Sequence, residues 1–229
     1  MRLLLIETAT QVCSVAIAED GAVVAHRDSG APNAHSSHLV PFIEEMLSEL
    51  SLTPNDITAV GVSSGPGSYT GLRIGVSTAK GFCYAQDKPL VAVPTLQSMA
   101  ELYFRQHPDY DGIVCPMIDA RRMECYTAFY NRAGLLRDTQ ADIITDGIYD
   151  NYLDRGEVTF IGDGAAKTRV LLGKHVNARF DDGFRPSAEG MVSAVERKLV
   201  AGDTEGVAYF EPYYLKDFVA KKSVVHGLR

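Results

Sequence analysis

Two stretches of this chain, IETATQVCSVAI from Ile6 to Ile17 and IDARRMECYTAF from Ile118 to Phe129, superimpose at a constant offset of 112 residues. Ile6 meets Ile118, Glu7 meets Asp119, Cys13 meets Cys125 and Ala16 meets Ala128. Each stretch follows an apolar strand-like run and leads into a glycine-containing hairpin, at Gly21 and at Gly134. A chain that repeats itself over half its length is constrained to fold twice on one plan. The rest of the pattern agrees. Leu3–Ile6, Cys13–Ala18 and Ala22–His26 read as three strands, with Asp20-Gly21 as the hairpin signal. Leu39, Phe42, Ile43, Met46, Leu47 and Leu50 fall three and four apart and describe one helical face. Ser36 or Ser37 can cap that helix, and Pro41 keeps its start just upstream. Ile57–Val62 and Leu90–Val93 read as strands, and Thr95–Phe104 as a helix ending before Pro108. In the second half, Val158–Ile161, the turn Gly162-Asp163-Gly164 and Ala165–Leu172 mirror the strand, glycine turn and helix of Ile57–Ala79.

The expectation is an α/β protein of two tandem βββαβα subdomains, residues 1–106 and 107–229. That is the plan of the actin-like, sugar-kinase and Hsp70 ATPase superfamily, although a fold alone fixes no function.

Composition narrows the function classes. The chain has 229 residues, 46% hydrophobic and 22% charged, which is ordinary for a globular protein. Its net charge of −7 argues against stand-alone nucleic-acid binding, which needs clustered Lys and Arg to neutralise phosphates. The basic candidates are Arg121-Arg122 and the tail Lys216, Lys221, Lys222 and Arg229. The opening MRLLLIETAT is too short an apolar run for a signal peptide, and no membrane-length apolar run occurs. Four scattered cysteines, Cys13, Cys83, Cys115 and Cys125, lack any C-x-x-C spacing and suggest reduced thiols in a cytoplasmic protein.

The segment SSGPGSYTGLRIGVSTAKGF, Ser63 to Phe82, looks like a phosphate loop. It is not one of the common kinds. Five residues on from Gly65 stands Thr70 and from Gly67 stands Leu72, so G-x-x-x-x-G-K-[ST] fails. Thr70 also occupies the third glycine place of G-x-G-x-x-G. Gly71, Gly75 and Ala79 instead lie four apart on one helical stripe. Each interior glycine costs about 1 kcal/mol relative to alanine, so the stripe implies another backbone lying close. Three further groups suggest weaker chemistry. His35 and His38 are spaced for zinc but lack an evident third ligand. Glu7 and Asp119, placed alike in the two halves, could face one another across a cleft and hold magnesium. Tyr213-Tyr214 could stack bases, or simply pack.

The block Ser64-Gly65-Pro66-Gly67-Ser68-Tyr69-Thr70-Gly71-Leu72-Arg73-Ile74-Gly75, with Ala79-Lys80-Gly81, closely resembles the signature of the bacterial TsaB family. IETAT with CSVAI, His35-Ser36 before Leu39 and Pro41, Asp119-Ala120-Arg121-Arg122, Gly162-Asp163-Gly164, and Pro212 with Tyr214-Leu215 carry the likeness over the whole chain. The resemblance implies a part in making N6-threonylcarbamoyladenosine at position 37 of ANN-decoding tRNAs. In that system TsaD transfers the threonylcarbamoyl group, TsaB is its shorter paralogue and partner, TsaE is an ATPase that joins them, and TsaC supplies the adenylate. TsaD-like relatives bind metal through H-x-x-x-H after the fifth strand; Thr95 and Met99 stand in those places here and are poor replacements for two imidazoles. Superfamily ATPases carry D-x-G-[ST] in the first hairpin, where Glu7-Thr8-Ala9-Thr10 stands here, with a methyl on Ala9 where phosphate would approach.

The reading is a non-catalytic partner of TsaD, with no metal and no cofactor of its own. A nucleotide, ATP or ADP, would enter only within the complex, with Glu7, Thr8, Thr10 and Asp119 as the candidate contacts. The expected docking face comprises Leu39, Phe42, Ile43 and Met46 with Tyr69, Gly71, Leu72, Arg73, Gly75, Val76, Ala79 and Lys80. The same face would form a homodimer when TsaD is absent, TsaE would join a ternary complex, and tRNA would be met only indirectly. A bulky residue at Gly75 is expected to block pairing while leaving the monomer folded. The alternatives are an actin-like ATPase, a metallopeptidase-like enzyme (without H-E-x-x-H), or direct capture of tRNA.

Overall fold

A computed structural model describes residues 1–216 of the 229; Lys221, Lys222 and Arg229 lie outside them. Two five-stranded sheets share one strand order. In the first, β1 (Arg2–Glu7), β2 (Cys13–Glu19) and β3 (Ala22–Ser29) form an antiparallel meander, and β4 (Ala59–Ser63) and β5 (Leu90–Val93) add in parallel, giving β3-β2-β1-β4-β5. In the second, β6 (Ile113–Asp119), β7 (Glu124–Asn131) and β8 (Gly134–Ile143) repeat the meander, and β9 (Val158–Ile161) and β10 (Ala178–Asp181) the parallel part, giving β10-β9-β6-β7-β8. The Asp20-Gly21 hairpin turn has both residues at positive φ, 49° and 81°, as a tight two-residue connection demands.

The central strands are apolar on both faces because helices cover both. Leu4, Ile6, Val60 and Val62 pack under α2 (Leu39–Glu49) and α3 (Tyr69–Gln86), while Leu3, Leu5, Ala59 and Val93 face the other way. The short α1 (Ala34–Ser37) leads into α2. The expected serine cap of α2 is not made. His38 stands at its N-cap and its side chain caps no backbone N–H, and the Ser36 and Ser37 hydroxyls both donate back to the Asn33 carbonyl, closing α1 instead.

The helical layer between the sheets is exchanged. The α4 helix (Thr95–Gln106) follows β5 in sequence, yet Leu96, Met99, Ala100 and Tyr103 pack on Val114, Ala128, Tyr130 and Ile161 of the second sheet. The 3-10 turn Ala188–Met191 and α7 (Val192–Val200) follow β10, yet Met191, Val192 and Val195 pack on Leu3, Leu5 and Val91 of the first. Contact is close: a Cβ on Gly61 of β4 would lie 2.5 Å from Val195, and one on Gly190 would lie 2.3 Å from the Ser98 carbonyl of α4. Outside the second sheet, α5 (Asp150–Leu153) and α6 (Ala165–Leu172) cover Met117, Phe129 and Phe160. The result is five layers, helix–sheet–helix–sheet–helix.

The repeat seen in the sequence holds for β2 and β7 but slips by one residue between β1 and β6. Ile6 pairs with Val15 and Glu7 with Ser14; the matching pairs are Met117 with Thr127 and Ile118 with Tyr126. A one-residue slip turns every side chain to the other face. Ile6 accordingly packs under α2 and α3, whereas Ile118 packs inward under α4. The counterpart of Glu7 is therefore Ile118, and that of Asp119 is Thr8.

Candidate functional site

The carboxyl ends of the parallel strands of both sheets point into one cleft of about 980 Å³, the place where open α/β sheets take ligands. Thr10, His35, Ser68 and Thr70 line it from the first half, and Asp119, Arg121, Tyr126 and Asp163 from the second. Residues 213–216 line it too.

The glycine stripe closes on the molecule itself. A Cβ on Gly67 would stand 2.3 Å from the Ala9 carbonyl, one on Gly71 would stand 2.1 Å from the Thr8 carbonyl, and one on Gly75 would stand 2.2 Å from the Thr8 hydroxyl. The close backbone inferred from the stripe is the β1–β2 turn of the same chain. Ser68 caps α3 by accepting from Gly71 N–H (3.2 Å), and its own N–H donates to Ala9 O (2.6 Å). Leu72, Val76 and Ala79 are buried beside the stripe, as are Leu39, Ile43 and Met46 of α2. These eight residues of the expected docking face, Gly71 and Gly75 included, form the interior of the first half and offer nothing to a partner. A leucine at Gly75 would break the monomer rather than spare it. Phe42 is half-buried. The outer surfaces of the two helices carry instead Val40, 49% exposed, and Tyr84, 86% exposed, neither of which the periodicity singled out.

Tyr69, Arg73 and Lys80 lie where expected on the flank of α3, but the chain's own C-terminal segment engages them. The Tyr214 ring packs 5.1 Å from that of Tyr69, and its hydroxyl accepts from Arg73 Nε (3.3 Å). Lys80 Nζ donates to the carbonyls of Ala208 (3.2 Å) and Phe210 (2.8 Å). Of the aromatic pair Tyr213-Tyr214, Tyr214 thus packs along the cleft wall, while Tyr213 is held by its backbone and leaves its ring half exposed.

The candidate cofactor contacts separate. Glu7 is fully buried; one carboxyl oxygen accepts from Ala9 N–H (2.6 Å) and the other has no partner. Burial pushes its carboxyl up to about 7, against the pull downward of the Ala9 N–H and of the nearby Ser63 hydroxyl and Thr8 N–H. The Thr8 hydroxyl is also buried and unpartnered, beneath α3. Thr10 reaches the cleft, and its hydroxyl accepts from Val12 N–H (3.3 Å). Asp119 is half-exposed, accepting from Lys167 Nζ and from Arg121 N–H (2.7 Å). Burial raises its carboxyl, but these two donors outweigh burial and hold it below the usual value. The expected Glu7–Asp119 pair across the cleft does not form, because the one-residue slip puts Glu7 in the interior, where the second half has an isoleucine. A carboxylate so enclosed does not fit the handling of a metal–phosphate group.

Thr95 and Met99 are likewise committed to structure. Thr95 accepts from Gly65 N–H (3.2 Å) and Met99 lies against Gly162. Among the described residues no group of three or more His, Cys, Asp or Glu is placed to hold a metal. His35 contacts the Val12 carbonyl (3.3 Å) and His38 the Ser37 hydroxyl (2.8 Å), so the two imidazoles do not converge. All four cysteines are buried and free. No described helix is long and apolar enough to cross a membrane.

Two sheets of identical order, exchanged helices between them and a cleft at the strand ends define a protein of the actin-like and sugar-kinase fold. Known structures agree. An uncharacterised protein from Pseudomonas aeruginosa with similarity to the peptidase YeaZ superimposes with a TM-score of 0.78 at 23% identity, over 94% of this chain and 99% of that one. The activator of 2-hydroxyisocaproyl-CoA dehydratase from Clostridium difficile gives 0.51 at 11% identity, over 90% and 99%. The family model for TsaD, tRNA N6-adenosine threonylcarbamoyltransferase, matches residues 28–223. The Escherichia coli tRNA threonylcarbamoyladenosine biosynthesis protein TsaB is 33% identical over 98% of both chains. The chain belongs to the TsaB family of tRNA threonylcarbamoyladenosine biosynthesis proteins.

Proposed function

We propose that this protein is a non-catalytic partner of the transferase subunit TsaD in forming N6-threonylcarbamoyladenosine at position 37 of ANN-decoding tRNAs. The observation that carries this reading is the outer surface of α2 and α3. Val40 and Tyr84 stand exposed on two helices whose inner faces are fully used, and an exposed aromatic on a rigid helix is the usual anchor of a protein interface. The enclosure of Glu7 and Thr8 supports the non-catalytic part. It removes from the cleft the side chains that an actin-like ATPase would turn toward phosphate. In this reading the protein holds no metal or nucleotide of its own, a nucleotide enters the cleft only in the complex, TsaE joins the pair, and tRNA is bound by the partner. Without TsaD the same helices pair two copies.

The test is co-elution with TsaD of the same organism. Val40→Asp and Tyr84→Asp should each abolish it while leaving circular dichroism and melting unchanged. Co-elution that survives both substitutions, or ATP turnover by the isolated protein, would refute the proposal.

A further inference from the structure

After α7, residues 205–216 return along the first half without forming a helix, and their one bridge to a strand is at Glu205. The segment is tied down in sequence order. Glu205 N–H donates to Leu90 O (2.8 Å) at the edge of β5, Lys80 holds the carbonyls of Ala208 and Phe210, and Tyr213 N–H donates to Ser64 O (2.7 Å). Tyr214 then packs on Tyr69 and accepts from Arg73, whose guanidinium lies 4.2 Å over the Tyr69 ring. The fit at Tyr213 is tight: a Cβ on Gly65 would stand 2.4 Å from its carbonyl. Three residues beyond Tyr213, Lys216 pairs with Glu124 at the start of β7, in the other half of the molecule. The segment therefore begins on the first sheet, is clasped by α3, and ends across the mouth of the cleft, which Tyr213, Tyr214 and Lys216 all line.

We propose that residues 205–216 are a latch that couples the flank of α3 to the opening of the cleft. While Tyr69 and Arg73 hold Tyr214, Lys216 is within reach of Glu124 and the two halves are joined at the mouth. When those side chains are drawn elsewhere, Tyr214 lifts, Lys216 is withdrawn and the halves can part. The end bond suits a latch that opens. Lys216 and Glu124 keep 42% and 22% of their side-chain surfaces in solvent, and exposed ion pairs are individually weak. The proposal rests on contacts within the chain and stands whether or not α3 docks a partner.

The test is a distance across the mouth in the full-length protein, measured by pulsed electron spin resonance. Spin labels go on cysteines introduced at Pro32 and Ala166, both exposed; the four native thiols are buried and stay unlabelled. Lys216→Ala should broaden the distance distribution and move it outward by several ångströms. Arg73→Ala, which touches neither Lys216 nor Glu124, should do the same. The charge-exchanged pair Lys216→Glu with Glu124→Lys should restore the native distribution, separating loss of the latch from general damage to the fold. A distribution unchanged in either alanine variant, or one that the exchanged pair fails to narrow, overturns the proposal.

Discussion

The hydroxyl of Thr8 stands 2.2 Å from the point that a Cβ on Gly75 would occupy, and the carbonyl of the same threonine stands 2.1 Å from the corresponding point on Gly71. One residue of the β1–β2 turn thus accounts for two glycines of α3. Gly81, six residues further along the helix, has nothing within 4 Å of that point. The same substitution should therefore have opposite signs on one helix. Gly71→Ala drives a methyl into backbone and should cost about 3 kcal/mol or more. Gly81→Ala should stabilise by about 0.5–1 kcal/mol through helix propensity. Melting temperatures would move about 2–4 °C per kcal/mol in a chain of this size. A stabilising Gly71→Ala would mean that α3 does not press on the turn.

Glu7 makes stability depend on pH in the unusual direction for a carboxylate. Its value rises from 4.5 to about 7 on folding, so between those limits the folded state binds more protons than the unfolded. Stability should fall as pH rises through that window, by roughly 3 kcal/mol at 1.4 kcal/mol per unit. Below pH 4.5 both states are protonated and the effect vanishes. Glu7→Gln keeps the acceptor for Ala9 and removes the charge, so at pH 8 it should be the more stable protein, with the difference shrinking toward pH 5. Urea midpoints across that range decide it; a difference independent of pH would show that Glu7 is not buried as described.

Lys80 holds two carbonyls of the C-terminal segment, and hydrogen bonds to a charged group are worth more than neutral ones. Lys80→Ala should cost about 1–2 kcal/mol. It should also speed hydrogen exchange at the amides of Glu205 and Tyr213 roughly tenfold, while leaving the amides of β1 unchanged. Equal acceleration in β1 would point to global loosening and not to release of the segment.

On the proposed pairing with TsaD, Tyr84→Ala should weaken the complex by about 2 kcal/mol, near thirtyfold in Kd, with monomer stability unchanged within about 0.5 kcal/mol. Val170, 78% exposed on α6 of the other half, is the control: Val170→Ala should leave affinity alone. Isothermal titration compares the two. Equal losses would place the docking surface elsewhere.

Much of the fold was legible because its signals are local. Leu90–Val93, Val158–Ile161 and Ala165–Leu172 occupy the spans that their patterns predict. A cut at 106/107 keeps each sheet whole. It does not keep the helices with their sheets, because which sheet a helix covers is decided by tertiary packing that no periodicity records. The site was less legible for a similar reason. Glycines four apart announce that a backbone comes close, but not whose, and here it was the chain's own turn. An apolar helical stripe marks what is buried, so Leu39, Ile43 and Met46 were read correctly as a face and wrongly as a surface. Residues 205–216 have no regular period. Their aromatic pair at 213–214 could stack on bases, but such pairs more often pack, and Tyr214 packs on Tyr69.

The exchange of α4 and the Ala188–Val200 segment has a consequence for how the molecule can come apart. Each sheet is roofed by a helix that the other half of the chain supplies, so neither half has a closed interior alone. A protease that cut the connection between Gln106 and Ile113 would leave two fragments still clasped, each holding the other's lid. The pair should travel as one species through a sizing column and melt in a single step.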